Sequence, residues 1–196
     1  LDTLLTTPIG GLVVQAACVD AGYQTDMVAG WCNVRKTRRV FAVKGASNAD
    51  VPRPIFAPRV SKTQQGTRQV HIVGVDTAKE LLYARLRIET PGPGYVHLKF
   101  PHCDEVWVAQ LTAEKLRTRY VHGRAVHYWW KAEGRRNEVL DCYVYAMAAL
   151  KSLLSFGFKL DPRPPIQRVA KAPKPAQSSG GWLGGSRMGG KGWLDR

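Results

Sequence analysis

"LVVQAACVD", Leu12–Asp20, is the stretch whose reading decides the fold. It is an almost continuous apolar run closed by an acid, with neither the strict alternation of a half-exposed strand nor the 3.6-residue period of a surface helix. That pattern predicts a central parallel strand buried on both faces. The flanks agree. "AGYQTDMVAGWCNVRK" opens at a glycine turn, offers Thr25 as a cap and reads as a helix; "RRVFAVKG", Arg38–Gly45, reads as a second strand. A β-α-β unit of this kind implies a parallel sheet with a right-handed crossover. "VHIVGVD", Val70–Asp76, predicts a third strand, again ended by an acid. It runs into "TAKELLYARLRI", where Thr77 and Glu80 have the T-x-x-E spacing of a capping box. The expected class is therefore α/β.

Other segments fill in the outline. "LDTLL" reads as the end of a helix, and residues 46–69 as one long loop of Pro, Ser, Asn and basic residues. After "TPGPG" breaks the preceding helix, "YVHLKF" predicts a strand and "DEVWVAQL" a short helix. "EKLRTRYVHGRAVHYWWK" holds two alternating runs around His122-Gly123 and predicts a hairpin. Alternation puts Lys115, Arg117 and Arg119 on one face and Leu116, Thr118 and Tyr120 on the other. This is either a basic ribbon with an aromatic backing or an edge strand protected by charge. "RRNEVLDCYVYAMAAL", Arg135–Leu150, predicts a mostly buried helix capped by Asn137. Glu138 and Asp141, three apart, share one stripe with Tyr145. Two acids in a first turn either serve the helix dipole or face a partner.

The 196 residues carry a formal charge of +14 and a pI near 10.0, which points to a polyanionic partner, most simply nucleic acid. Eight basic residues and two acids lie in residues 156–196, so more than half of the excess belongs to residues 1–155. Residues 156–196 are rich in Pro, Gly and Ser, predicting a flexible basic tail. Its two Trp-Leu pairs are either a docking motif or sparse apolar residues in a linker. Cys18, Cys32, Cys103 and Cys142 form no CxxC pair and suit reduced thiols. No segment approaches the ~18 apolar residues of a membrane span. A soluble intracellular protein is expected.

Chemistry enters through the acids. Ligands of open α/β sheets bind beyond the carboxyl ends of the strands, where Asp20 and Asp76 are both expected. Glu138 and Asp141 at a helix start supply a further pair. Carboxylates gathered in one place repel one another. A divalent cation removes that cost, and two such ions about 4 Å apart stabilise the attacking and leaving oxygens of phosphodiester cleavage.

These residues bring the chain to a known family. "VDAGYQTDMV", "RRVFAVKGAS", "GVDTAKELLYARLRI", "PGPGYVHLKFP", "QLTAEKLRTRYVHGRAVHYWWK" and "GRRNEVLDCYVYAMAAL" resemble, in this order, stretches of the large subunit of lambda-like phage terminases. The resemblance covers approximately residues 1–155. It implies the RNase H-like nuclease domain of a DNA-packaging motor, an endonuclease that cuts concatemeric DNA with two Mg²⁺ or Mn²⁺ ions. Asp20 looks like the acid of a central strand, and Asp141, with Glu138 beside it, like the acid of the last helix; the resemblance implies that all three are catalytic and metal-binding. Asp76 and Lys79 match a further recurrent motif, Asp76 as a supporting acid and Lys79 as a DNA contact. Arg117, Arg119, Arg135 and Arg136 would hold phosphates. The partners implied are double-stranded DNA, the terminase small subunit and the portal of the procapsid, with no membrane, in the cytoplasm of a bacterial host. The chain also departs from the family. No G-x-x-x-x-G-K-[ST] loop is present, and "LDTLL" resembles a helix that follows the family's first strands. The expectation is a nuclease domain, residues 1–155, lacking those strands and one metal-binding Asp. A catalytically incomplete DNA-binding or portal-docking remnant is the rival expectation.

Overall fold

A computed structural model describes residues 1–8, 10–48, 51–57, 60–62, 69–99 and 101–160. Contacts set Leu1–Leu160 apart as one unit. The expected tail, with its Trp-Leu pairs, lies outside the described residues except for 156–160.

Three strands run parallel, as the β-α-β reading requires. They are β1 (Ala17–Asp20), β2 (Val40–Ala46) and, after the short β3 (Val60–Lys62), β4 (Gln69–Gly74). The sheet order is β1-β2-β4-β3, with β3 antiparallel to β4. Helix α1 (Asp2–Thr6) precedes the sheet, and α2 (Thr25–Asn33) makes the crossover from β1 to β2. β2 shows why a central parallel strand reads as a continuous apolar run. Phe41 and Val43 pack on one face with Val73, Leu82, Leu140 and Val144, whereas Val40 and Ala42 pack on the other with Ala29 and Cys32 of α2. Helices α3 (Val75–Leu86) and α5 (Glu138–Ser155) cover the first face. The result is helix, sheet, helices in three layers.

Several expectations need correction. Leu12–Asp20 is not a central strand: only Ala17–Asp20 joins the ladder, and among the described residues it pairs with β2 alone. Leu12 and Val13 are 77% and 54% exposed. The apolar run fits a strand flanked on both sides, but among the described residues no strand pairs with its outer edge. The loop 46–69 is interrupted by β3, which pairs Val60–Lys62 with Gln69–His71. "YVHLKF" forms no strand over Tyr95–Lys99; strand propensity without a neighbouring strand to pair with leaves only Val96 packed against the core.

The third strand ends sooner than expected. β4 stops at Gly74 and α3 starts at Val75, so Asp76 lies in the first turn of a helix rather than at a strand end. Gly74 explains the abrupt change. A Cβ there would sit 2.5 Å from the Arg53 carbonyl oxygen and 2.7 Å from that of Pro54, and the Gly74 N–H donates to Pro54 O at 3.1 Å. Only glycine lets the 53–54 backbone come this close. The Thr77 hydroxyl is drawn into the same junction, donating to Arg53 O at 2.7 Å, so no capping box forms.

Helix α4 (Glu105–Leu111) is capped by Asp104, whose side chain accepts from the Trp107 N–H at 2.8 Å. The hairpin is present as β5 (Glu114–Val121) and β6 (Arg124–Lys131), a separate two-stranded sheet in full register. His122 and Gly123 both have positive φ, 49° and 74°, the requirement of the tight turn whose twist matches paired strands. Tyr120 and Trp129, which stands opposite Leu116, lie on the face behind the basic one, and aromatic residues also join the basic face itself: Trp130 stands opposite Lys115, and Tyr128 opposite Arg117.

Candidate active site

The carboxyl end of β1 and the first turns of α5 face each other. Parallel topology delivers Asp20 to this end of the sheet, and the long apolar face of α5, packed through Leu140 and Val144, brings its acidic first turn alongside. Between them runs a cleft of about 580 Å³ whose lining includes Cys18, Asp20, Glu138, Asp141, Cys142 and Tyr145. The sequence-predicted Asp20, Glu138 and Asp141 therefore share one cleft.

Their environments differ. Asp20 is exposed and accepts the Gly22 N–H at 3.0 Å. Burial holds the Asp141 carboxyl above the usual carboxylate range. Lys79 pulls it back down, while Glu114 and Asp20 push it up as like charges. Tyr145, one turn further along α5, keeps its phenol proton well beyond neutral pH, first because it is buried and then because Asp20 and Asp141 lie near it. Tyr145 lines the same cleft as Asp20 and Asp141. Glu138 is exposed, and its carboxyl is lowered first by its own backbone N–H at the helix start, then by Arg136. The Arg136 Nε donates to its two oxygens at 3.1 and 3.2 Å.

Two predicted residues do other work. Asp76 lines a different cleft, with Asn48, Glu80 and His127, and its Oδ2 accepts the Asn48 N–H at 2.6 Å. The early start of α3 places it there, apart from the cleft that Asp20, Glu138 and Asp141 line. Lys79, the expected DNA contact, is only 8% exposed and gives its ammonium to Glu114 Oε2 at 2.7 Å.

Glu114 was not legible as a site residue. It opens β5, is 6% exposed, and binds three residues: Lys79 of α3 through Oε2, the Tyr83 hydroxyl of the same helix through its backbone oxygen at 2.6 Å, and Asn137, just before α5, through Oε1 at 2.9 Å. The only signal was parity, since alternation places an acid on the inward Leu116 face. Asn137 does precede α5 as expected, but its side chain makes no capping bond. Its amide nitrogen donates to Glu114 and, at 3.3 Å, to Asp141 Oδ2. On the hairpin, the Arg117 guanidinium lies 3.5 Å from the Trp130 ring centroid and that of Arg119 5.2 Å from Tyr128. Arg135 and Arg136 are exposed just before α5.

Asp20 and Asp141 are hard oxygen donors suited to Mg²⁺ or Mn²⁺ rather than to softer metals. Asp20 in particular has coordination capacity beyond its one backbone hydrogen bond. Among the described residues, no group of three or more His, Cys, Asp or Glu side chains stands in metal-holding geometry. The pair fits part of a cation site.

Residues 5–157 match the family model described as terminase large subunit gpA, endonuclease domain. The chain is 38% identical over 125 residues to the terminase large subunit of Escherichia phage lambda, covering 60% of this chain and 19% of that protein. It is 39% identical over 121 residues to the terminase large subunit of Enterobacteria phage P21, covering 58% of this chain and 18% of that protein. It thus spans under one fifth of the length of these relatives. No solved structure matches it significantly.

Proposed function

Because the chain belongs to the endonuclease-domain family of the terminase large subunit gpA, and so to the machinery of phage DNA packaging, we propose that it performs metal-dependent hydrolysis of phosphodiester bonds in concatemeric double-stranded DNA. The observation that carries this reading is the convergence of Asp20 and Asp141 on one cleft, next to a molecule-wide surplus of positive charge. The proposal takes the fold as RNase H-like and the working complex as including the small subunit and the procapsid portal, in the cytoplasm of the bacterial host.

Asp20 and Asp141 would hold Mg²⁺ or Mn²⁺, with Glu138 at the cleft mouth. The bound cation would activate water and stabilise charge on the leaving oxygen. Tyr145, whose phenol stays protonated well beyond neutral pH, lines the cleft with Asp20 and Asp141 and adds no charge to it. Arg135, exposed before α5, and Arg117 and Arg119 on the hairpin offer charge for the DNA backbone. Arg136 is shared with Glu138.

The test is plasmid cleavage by the full-length protein with Mn²⁺. Asp20→Asn and Asp141→Asn should each abolish cutting while leaving DNA affinity within about twofold. Cutting that survives either change removes that acid from the chemistry. A second reading, a DNA-binding or portal-docking module without catalysis, is favoured by the absence of a three-carboxylate cluster among the described residues. It predicts salt-dependent DNA binding and no metal-dependent cutting.

A further inference from the structure

We propose that Asn137 and Glu114 are positioning residues that set Asp141 in register with the basic hairpin, an inference that rests on the nuclease reading above. The geometry begins with an amide whose oxygen and NH₂ group are both engaged. Lys131 Nζ donates to Asn137 Oδ1 at 3.0 Å, which fixes the flip of the amide and turns its NH₂ toward the acids. One hydrogen of that NH₂ goes to Glu114 Oε1 at 2.9 Å and the other to Asp141 Oδ2 at 3.3 Å. The bridge joins β6, β5 and α5 at one point.

Glu114 is the fixed end of this bridge. Its other oxygen is locked to Lys79 at 2.7 Å, and its backbone oxygen takes the Tyr83 hydroxyl, so α3 clamps the root of the hairpin. From Glu114 the strand runs without interruption to Arg117, which stands over Trp130. Three residues of strand span about 10 Å. A phosphate gripped by Arg117 is thereby held at a set reach from the carboxylate that Asn137 orients. Helix capping does not explain Asn137, because its side chain makes no cap hydrogen bond.

The discriminating variant is Asn137→Ser in the full-length protein, since serine caps a helix as well as asparagine does but cannot bridge two acids. Partners that orient a metal ligand typically contribute 10–100-fold to metal affinity or activity. Asn137→Ser should therefore weaken Mn²⁺ binding, measured by calorimetry, by about 10-fold or more, and lower kcat for plasmid cleavage by a similar factor. KM for DNA should stay near wild type, and the melting temperature should fall less than in Glu114→Gln, by the unmet Glu114 oxygen alone. Glu114→Gln, which keeps an acceptor for Asn137, should retain more Mn²⁺ affinity than Asn137→Ser despite a lower melting temperature. Mn²⁺ affinity and kcat within about twofold of wild type in Asn137→Ser would overturn the assignment. So would losses of affinity that merely follow the melting temperature across both variants. Wild-type protein that neither binds Mn²⁺ nor cuts DNA would instead overturn the nuclease reading, and this inference with it.

Discussion

Replacing Lys79 by methionine removes one charge from a pair that is closed off from water. The two side chains are 10% and 8% exposed and 2.7 Å apart. Methionine has nearly the same length, so packing is retained and the change isolates the charge. What remains is a Glu114 carboxylate without its cation in a low-dielectric setting, with Asp141 close enough to repel it. Breaking a buried pair from one side costs about 3–5 kcal/mol. For a folded unit of this size each kcal/mol moves the midpoint by roughly 2–4 °C, so Lys79→Met should melt about 6–20 °C below wild type. The double variant Lys79→Met, Glu114→Leu removes both charges and should recover most of that loss, leaving only the unmet donor of Asn137. Arg136→Ala, which breaks the solvent-exposed pair to Glu138, serves as the control and should leave the melting curve in place. Thermal unfolding followed by circular dichroism decides the matter. A Lys79→Met midpoint within about 3 °C of wild type, or a double variant no better than the single one, would refute the claim that this pair is dry and mutually dependent.

Two further outcomes follow from the same geometry. Burial raises the Asp141 carboxyl above its ordinary value of 3.8, so the folded protein holds this proton more tightly than the unfolded chain does. Ionised Asp141 then costs stability above the folded value, and the cost disappears as the pH falls below the unfolded one. In EDTA, Asp141→Asn should melt above wild type near neutral pH, with the advantage shrinking as the pH is lowered toward the carboxylate range. An advantage that grows on acidification would contradict this. Gly74→Ala should destabilise strongly, because the added methyl meets the backbone oxygens of Arg53 and Pro54 rather than a flexible side chain. Faster proteolysis in the 48–57 segment would report the displaced loop, and an unchanged digestion pattern would count against the close approach.

What could be read in the sequence was whatever local period and topology determine. The parallel β1-β2-β4 arrangement follows from apolar runs alternating with a helical pattern, and the hairpin from strict alternation around His122-Gly123. Once a parallel sheet is expected, Asp20 belongs at its carboxyl edge, and the buried face of α5 obliges Asp141 to approach it. Other features depended on contacts between distant segments. No local rule says that strand β4 turns to helix at Gly74 instead of Asp76; the close approach of Arg53 decides it. Lys79 and Glu114 are 35 residues apart, and a lysine on an otherwise amphipathic helix gives no sign that it will be buried. "YVHLKF" has the composition of a strand, but composition cannot supply the neighbour that a strand needs.

The one-sided attachment of β1 has a dynamic consequence. Among the described residues, Ala17–Asp20 holds to the sheet only through β2, whereas β2 is laced on both sides. Amide hydrogen exchange should therefore be faster in β1 than in β2, since strands with fewer cross-links open at lower free energy. On the nuclease reading, this fraying strand carries one of the two acids. A divalent ion gripped by Asp20 and Asp141 would staple it to α5, so the cofactor would slow exchange in β1 by mass action before any bond in DNA is broken.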